Sequence, residues 1–247
     1  MSTAIAGCPS QFSTVGFFPP EELPMTMQVG MVGSNGIVLA GDMTCTVNPL
    51  YAGEGARYDF SRHKIKISAS RRVAVTSAMD MDAADRIADC ILSGVENEAV
   101  SNRQHRILEI GRSIASLQDV ECIAAFLDPR PILYKFQYGR GGQHVVCDAI
   151  TDRIHAGDAI SPAVFWARRY HSVSLPVAVL IRLAAHEIIA AGEINSAIIG
   201  GLEIVSSDAG GFHLLSDEDT NLLSAQARHW SAQIGSMILG SDTTALS

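Results

Sequence analysis

The chain has 247 residues, of which 47% are hydrophobic and 18% are charged, and its formal net charge is −8. This is enough for one large domain with its own core. The acidic balance, the 6% aromatic content and the scattered Lys and Arg residues argue against a nucleic-acid partner. The five cysteines form no CxxC pair, and no apolar run approaches the roughly 20 residues that cross a bilayer. We therefore expect a cytoplasmic protein that binds neither nucleic acid nor a membrane.

The first residues differ in character from the rest of the chain. Residues 1–25 are rich in small, polar and proline residues and show no period, so we interpret them as an N-terminal extension before a single domain at 26–247. That domain opens with an apolar alternation over 26–42, turned at Ser34-Asn35-Gly36, which predicts a β-hairpin. The Asn, Pro and Gly residues of 43–62 predict a long loop.

The apolar period then changes several times along the chain. The pattern predicts strands at 63–70 and 71–78, helices at 79–98 and 102–117, strands at 121–128, 131–139, 143–150 and near 153–158, helices at 161–171 and 175–191, a hairpin over 200–207 and 211–215, and a last helix at 216–238. Strands and helices come in blocks rather than in strict alternation. This order favours an α/β fold with two mainly antiparallel sheets between helix pairs, a four-layer αββα sandwich.

Three residues form the candidate catalytic site: Thr26, Asp42 and Lys64. A threonine hydroxyl is a weak nucleophile, but a free α-amino group, with an ordinary pKa of about 7.7–8.0, can take its proton. A nearby lysine can assist through its charge or as a base, and an aspartate can hold that lysine in place. The residues alone also fit ordinary roles in strands. No histidine pairs with a cysteine or carboxylate at metal-ligand spacing, so no metal site is expected.

The spacing of these residues resembles that of the proteasome β-subunit and HslV peptidase family, the N-terminal-threonine hydrolases. In "TMQVGMVGSNGIVLAGD", a threonine opens the first strand and an aspartate ends the second, at the family's interval. "HKIKIS" supplies a lysine that opens a strand, and "TSAMDMDAAD" matches the step before the family's first helix. The resemblance implies the Ntn-hydrolase fold and a threonine-type endopeptidase.

The resemblance also implies roles for individual residues. Thr26 would be the nucleophile, Asp42 would orient Lys64, and the backbone N–H of Ala78 would donate to the oxyanion. Further catalytic positions correspond to Asp158, where the family has a serine, to Glu193, where it has an aspartate, and to Ser196, which here lacks the family's following glycine.

The substrate-binding residues are likewise assigned from the resemblance. The backbone of Thr46 would pair with an extended substrate. The pocket for the residue before the cut would be lined by Cys45, Thr76 and Ala78, whose small side chains leave room for a large apolar group.

The resemblance further implies no cofactor, a homo-oligomeric double ring with the threonines inside, unfolded protein or peptide substrates, and an ATP-dependent unfoldase as partner. Two alternatives stay open: a catalytically inactive ring or scaffold subunit that keeps residues 1–25, and an Ntn-type amidase that acts on a small molecule without a ring. An active Thr26 requires either cleavage of the Met25–Thr26 bond or translation from Met25 followed by removal of that methionine. We favour the second route, because a Met directly precedes Thr26.

Overall fold

The computed structural model describes residues 26–47, 58–79, 81–114, 119–139, 145–157, 160–196 and 199–239. The extension at 1–25 lies outside the described residues. The strands are β1 (Met27–Gly33), β2 (Gly36–Gly41), β3 (Thr44–Val47), β4 (Tyr58–Ser61), β5 (Ile65–Ile67), β6 (Val73–Met79), β7 (Val120–Phe126), β8 (Ile132–Tyr138), β9 (Val145–Ile150), β10 (Arg153–Gly157), β11 (Glu203–Asp208) and β12 (Gly211–Leu214). The helices are α1 (Met81–Gly94), α2 (Val100–Ser113), α3 (Val164–Tyr170), α4 (Val177–Ile194) and α5 (Asp217–Leu239). None of these described helices is long and apolar enough to span a bilayer.

Ten of the described strands form two five-stranded antiparallel sheets. The first sheet has the order β10-β1-β2-β11-β12, and the second has the order β5-β6-β7-β8-β9. The predicted hairpin is confirmed, because β1 pairs with β2 in a register that sets Val32 opposite Ile37. The second sheet is a meander in which each strand pairs with the next one along the chain.

Each sheet buries apolar residues on both of its faces. In β2, Val38 packs in a cluster with α3, α4 and α5, whereas its neighbour Leu39 packs in a cluster shared with the second sheet. This division follows from the alternation of side chains along a strand. The second sheet buries its other face against α1 and α2, with Val75 and Ile87 among the contacts. Each fully buried aliphatic side chain stabilises the fold by about 1.5–3 kcal/mol relative to an exposed one.

The predicted long loop at 43–62 is wrong in part. The strands β3 and β4 form a separate two-stranded ladder at its two ends, with Thr44 opposite Ser61. Residues 48–57, which join the two strands, lie outside the described residues. Four residues are too few to show a period of two against the Asn, Pro and Gly signals around them.

The first predicted helix, at 79–98, begins two residues later than expected. Met79 adopts a left-handed backbone conformation with a φ of 75°, and α1 begins at Met81. Such a conformation is uncommon for a residue with a side chain. The strained turn lies directly after Ala78, at the end of β6, and separates the strand from the helix.

Candidate active site

The β1–β2 hairpin brings Thr26 and Asp42 together. Gln28 lies opposite Gly41, so the residues beyond each end of this pairing, Thr26 and Asp42, meet at one end of the first sheet. The Thr26 hydroxyl donates to Asp42 Oδ1 over 2.5 Å, and the backbone N–H of Met27 donates to the same oxygen over 2.8 Å. Both Thr26 and Asp42 are buried.

The second carboxylate oxygen of Asp42 is also fully engaged. Oδ2 accepts a hydrogen bond from the backbone N–H of Thr44 over 3.1 Å and from Lys64 Nζ over 2.9 Å. Asp42 thus accepts four hydrogen bonds although its side chain has no exposed surface. A buried carboxylate is tolerated only with such partners, and charge-assisted hydrogen bonds are the strongest ones available to it.

Lys64 reaches the same cluster from the second sheet. Its Nζ lies 2.7 Å from Thr26 Oγ1, 2.9 Å from Asp42 Oδ2 and 2.6 Å from the carbonyl oxygen of Thr44. An ammonium group has three donors and no acceptor, so these three oxygens satisfy it completely. The Thr26 hydroxyl donates its own hydrogen bond to Asp42. The arrangement is that of a cation facing a hydroxyl oxygen, suited to stabilise negative charge on Oγ1.

Lys66 provides the natural contrast, within the strand β5 that Lys64 directly precedes. It lies two residues beyond Lys64, and its Nζ pairs with Asp89 of α1 over 2.8 Å and with Asp85 over 3.5 Å. Its side chain is 30% exposed, whereas that of Lys64 is 1% exposed. The two lysines therefore lie in different surroundings, one buried in the site and the other at the surface.

The expected pocket residues lie in two strands, β3 and β6. Cys45 is buried, and burial raises the pKa of its thiol while the charge of Lys64 opposes that rise. Thr76 is fully buried and its hydroxyl donates to Gln28 Oε1. Ala78 is also fully buried, near the end of β6. Thr46 lies in β3, and its side chain falls outside the described part of the chain.

Of the three remaining sequence-predicted residues, the two that the structure describes are not hydrogen-bonded to the cluster. Asp158 lies outside the described residues. Glu193 is exposed in the last turn of α4, and Ser196 is exposed two residues after that helix. Within the described residues, the hydrogen bonds of Thr26, Asp42 and Lys64 reach neither Glu193 nor Ser196.

Sequence reasoning missed the residue that allows close approach to Thr26. Gly157 ends β10 with a φ of 77°, and a Cβ there would overlap the carbonyl oxygen of Thr26. Only glycine accepts both conditions without strain. Its backbone N–H donates to Glu121 Oε2 over 2.8 Å, which ties this point to the second sheet.

Sequence reasoning also missed Glu203. Its Oε2 accepts from the backbone N–H groups of Lys64 and Ile65 over 2.8 and 3.2 Å, and its Oε1 lies 3.0 Å from His63 Nδ1. Burial raises the pKa of Glu203, and the hydrogen bonds from these three residues oppose that rise. A signal was present in the sequence, since this glutamate is the only charged residue in the otherwise apolar run "AIIGGLEIV".

Solved structures share this fold. Anbu (ancestral beta-subunit) from Yersinia bercovieri aligns with a TM-score of 0.68 at 15% identity, covering 90% of this chain and 100% of that chain. The helical assembly of the Anbu complex from Pseudomonas aeruginosa gives a TM-score of 0.64 at 16% identity, with the same coverage. Anbu from Hyphomicrobium sp. strain MC1 gives 0.63 at 15% identity, covering 89% of this chain and 99% of that chain. No protein-family model and no curated protein matches the sequence.

These comparisons correct the family suggested by the sequence. The assignment to proteasome β-subunits and HslV-type peptidases is wrong, because the similar structures are Anbu proteins, which are proteasome-like but distinct. The relation to HslV-type subunits is only distant. The spacing of Thr26, Asp42 and Lys64 therefore did not separate one proteasome-like group from another. What the likeness shows is the fold.

Proposed function

We propose that this chain is a threonine-type endopeptidase with Thr26 as its nucleophile. The observation that carries the proposal is the 2.7 Å contact between Lys64 Nζ and Thr26 Oγ1, with Asp42 bonded to both groups. A buried cation beside a hydroxyl has an evident chemical use, because it stabilises the alkoxide that forms as the hydroxyl attacks.

The proposed reaction begins when residues 1–25 are absent and Thr26 carries a free α-amine. The amine takes the hydroxyl proton, and Oγ1 attacks the scissile carbonyl carbon. Lys64 stays an ammonium, since its three donors are occupied by oxygens. The amine of the leaving peptide departs with the proton and leaves an ester on Thr26. Water then attacks this ester, releases the acid product and restores the hydroxyl.

The substrate side of the proposal uses the residues next to the nucleophile. The backbone N–H of Ala78 would donate to the oxyanion, and the backbone of Thr46 would pair with an extended peptide. The small side chains of Cys45, Thr76 and Ala78 favour a large apolar residue before the cut. Glu193 and Ser196 would complete the site only in an arrangement that brings them into hydrogen-bonding distance of Thr26, and Asp158 is proposed as a further catalytic residue.

We further propose a four-layer αββα sandwich that assembles into a proteasome-like oligomer in the cytoplasm. The separate apolar clusters on both faces of each sheet support the layers. The Pseudomonas aeruginosa neighbour is described as a helical assembly, so either a closed ring or an open helix is compatible with this fold. An ATP-dependent unfoldase would supply unfolded protein. Light scattering tests the assembly, and a 26.3 kDa monomer would favour a small-molecule amidase.

Intact mass and peptide hydrolysis, measured together on protein from its native host, test the proposed activity. We expect a mass that begins at Thr26 and hydrolysis of fluorogenic peptides with an apolar residue before the cut. Thr26→Ala should abolish hydrolysis and leave assembly intact. An assembled protein that starts at Thr26 and cleaves no peptide in a broad library would overturn the proposal.

A second candidate function is an inactive scaffold subunit. The exposure of Glu193 and Ser196, away from the hydrogen bonds of Thr26, favours it. In that case native protein would retain residues before Thr26, would assemble, and would hydrolyse no peptide.

A further inference from the structure

Glu203 is a buried charged residue outside the contacts of Thr26. It is 2% exposed and opens β11. An isolated carboxylate in such a place is costly, so its hydrogen-bond partners indicate what it stabilises.

Among the described residues, the partners of the Glu203 carboxylate all belong to one short segment. Its Oε2 accepts from the backbone N–H of Lys64 over 2.8 Å and of Ile65 over 3.2 Å, and its Oε1 lies 3.0 Å from His63 Nδ1. This segment enters β5 and carries the lysine whose ammonium contacts Thr26. The carboxylate therefore holds the main chain at Lys64 rather than its side chain.

The backbone of Glu203 is anchored next to Asp42. Glu203 lies opposite Gly41 in the β2–β11 ladder, and Gly41 directly precedes Asp42. Lys64 is thus linked to this end of β2 twice, through its Nζ to Asp42 Oδ2 over 2.9 Å and through its backbone N–H to Glu203. The two links fix both ends of a flexible lysine side chain.

The opposite side of the segment has a weaker tie. The carbonyl oxygen of Lys64 accepts from the backbone N–H of Ser77 over 3.2 Å. Removing Glu203 would leave this bond, and a strand of only three residues, to hold the main chain at Lys64. A shift of about 1 Å in such a group lowers a reaction rate by roughly 10²-fold.

We propose that Glu203, together with His63, is a positioning residue that fixes the main chain at Lys64 so that its ammonium reaches Thr26 and Asp42 at the same time. The inference rests on the proposed function only where it gives Lys64 a role in catalysis. The placement of Lys64 itself is measurable without any activity.

The chain offers a direct readout, because it contains only three lysines, Lys64, Lys66 and Lys135. Trace labelling with acetic anhydride, followed by peptide mass spectrometry, reports how accessible each amine is in the assembled protein. In the wild type we expect Lys64 to be labelled far more slowly than Lys66. Glu203→Gln sets an amide N–H₂ against the backbone donors. The labelling of Lys64 relative to that of Lys66 should then rise roughly tenfold, the factor that corresponds to one lost charge-assisted hydrogen bond.

A second buried glutamate is the matched control. Glu187 is fully buried and lies 2.6 Å from His155, but it contacts neither Lys64 nor its neighbours. Glu187→Gln replaces a buried carboxyl group by an amide in the same way and should leave the labelling ratio unchanged. An unchanged ratio in Glu203→Gln, or an equal rise in both variants, would overturn the proposal.

Two further variants keep the test decisive. If Glu203→Gln does not fold, His63→Ala removes one partner of the carboxylate at a side chain that is 60% exposed. It should raise the ratio in the same direction by a smaller factor, and no rise would contradict the proposal. Glu203→Asp keeps a carboxylate and should give a labelling ratio between those of the wild type and Glu203→Gln.

Kinetics then separates this inference from the proposed function. Against a cleavable peptide, Glu203→Gln should lower kcat by roughly 10- to 100-fold and leave KM unchanged. If the wild type cleaves no peptide, the proposed function fails, yet the labelling ratio still decides whether Glu203 positions Lys64. A rise in KM with unchanged kcat would overturn the positioning role in catalysis.

Discussion

Two buried groups of charged side chains, one at the end of the first sheet and one between that sheet and α4, are satisfied to different degrees. In the site cluster, Asp42 accepts four hydrogen bonds and Lys64 donates three. Between the sheet and α4, Glu187 Oε1 lies 2.6 Å from His155, and Glu187 Oε2 has no hydrogen-bond partner among the described residues. The first group holds its charges in place around a hydroxyl, whereas the second contains no nucleophile.

The difference teaches which buried charges merit a functional hypothesis. Burial raises the pKa of Glu187, so this carboxyl is held toward its neutral form. The site cluster instead surrounds the Asp42–Lys64 ion pair with donors and acceptors from the start of β1 and from Thr44 in β3. A fold gains little stability from such a pair compared with apolar packing. The proposed chemical use of the pair at Thr26 offers a reason for it that stability does not.

The largest expected effect comes from breaking the centre of the site cluster. Asp42→Asn turns one acceptor oxygen into a donor that faces N–H or O–H groups. Because it leaves the buried Lys64 ammonium without its counter-charge, we expect a loss of about 3–5 kcal/mol in the free energy of unfolding. Peptide hydrolysis should fall by roughly 10²–10³-fold.

Denaturant unfolding and hydrolysis assays measure both quantities. Asp89→Asn is the control, because that carboxylate is 64% exposed and pairs with Lys66. Its effect on stability should stay within about 1 kcal/mol. Equal effects of the two substitutions would remove the distinction between the site cluster and an ordinary surface ion pair.

A smaller effect on stability, with a comparable one on activity, is expected at Lys64. Lys64→Met keeps an unbranched side chain but removes the ammonium, and so leaves Asp42 with three of its four donors. Hydrolysis should fall by roughly 10²-fold or more, as on loss of one preorganised donor, while light scattering should show intact assembly. Lys66→Met, two residues along the chain, should change hydrolysis little. A severe loss of hydrolysis in Lys66→Met with none in Lys64→Met would contradict the role proposed for Lys64 and give it to Lys66.

The sequence predicted the parts of this site that local pattern controls. The hairpin over 26–42 and the strand after residue 62 are visible as apolar alternation, and the strand order sets Thr26, Asp42 and Lys64 at neighbouring strand ends. The structure brings these three into hydrogen-bonding distance, and their catalytic roles stay predictions. The family assignment failed because distant relatives share this residue spacing. The spacing therefore indicates the fold but does not distinguish one proteasome-like group from another.

Long-range contacts explain most of what the sequence could not provide. Glu203 lies 139 positions from Lys64, and no period relates the two. Gly157 comes next to Thr26 only through the pairing of β10 with β1. The β3–β4 ladder is too short to show alternation. Such pairings are decided by tertiary packing, which local propensity does not record.

The close approach at Thr26 gives the next prediction. Gly157→Ala places a Cβ against the Thr26 carbonyl group at a left-handed φ of 77°. We expect the free energy of unfolding to fall by about 1–3 kcal/mol, with hydrolysis reduced because the nucleophile must shift. Gly94→Ala is the control, since no atom lies within 4 Å of a Cβ at that helix end, and it should be close to neutral. If Gly157→Ala changed neither the free energy of unfolding nor hydrolysis, the backbone near Thr26 would have room for a Cβ at position 157.

The smallest expected effect sharpens the second member of the comparison, the Glu187–His155 pair. Burial raises the folded-state pKa of Glu187 above its ordinary value of 4.5, against the opposing effects of His155, Arg153 and Arg168. Below that ordinary value the carboxyl is protonated in both the folded and the unfolded chain, so its contribution to stability is complete there. As the pH rises through the folded-state pKa, the folded chain must bury the charge, and that contribution is lost.

Glu187→Gln imitates the protonated form at every pH. The stability of the wild type relative to Glu187→Gln should therefore decrease from about pH 4.5 toward neutrality, as measured by urea unfolding at a series of pH values. A pH-independent difference between the two proteins would mean that Glu187 stays ionised in the fold, and the contrast with the fully bonded Asp42 would disappear.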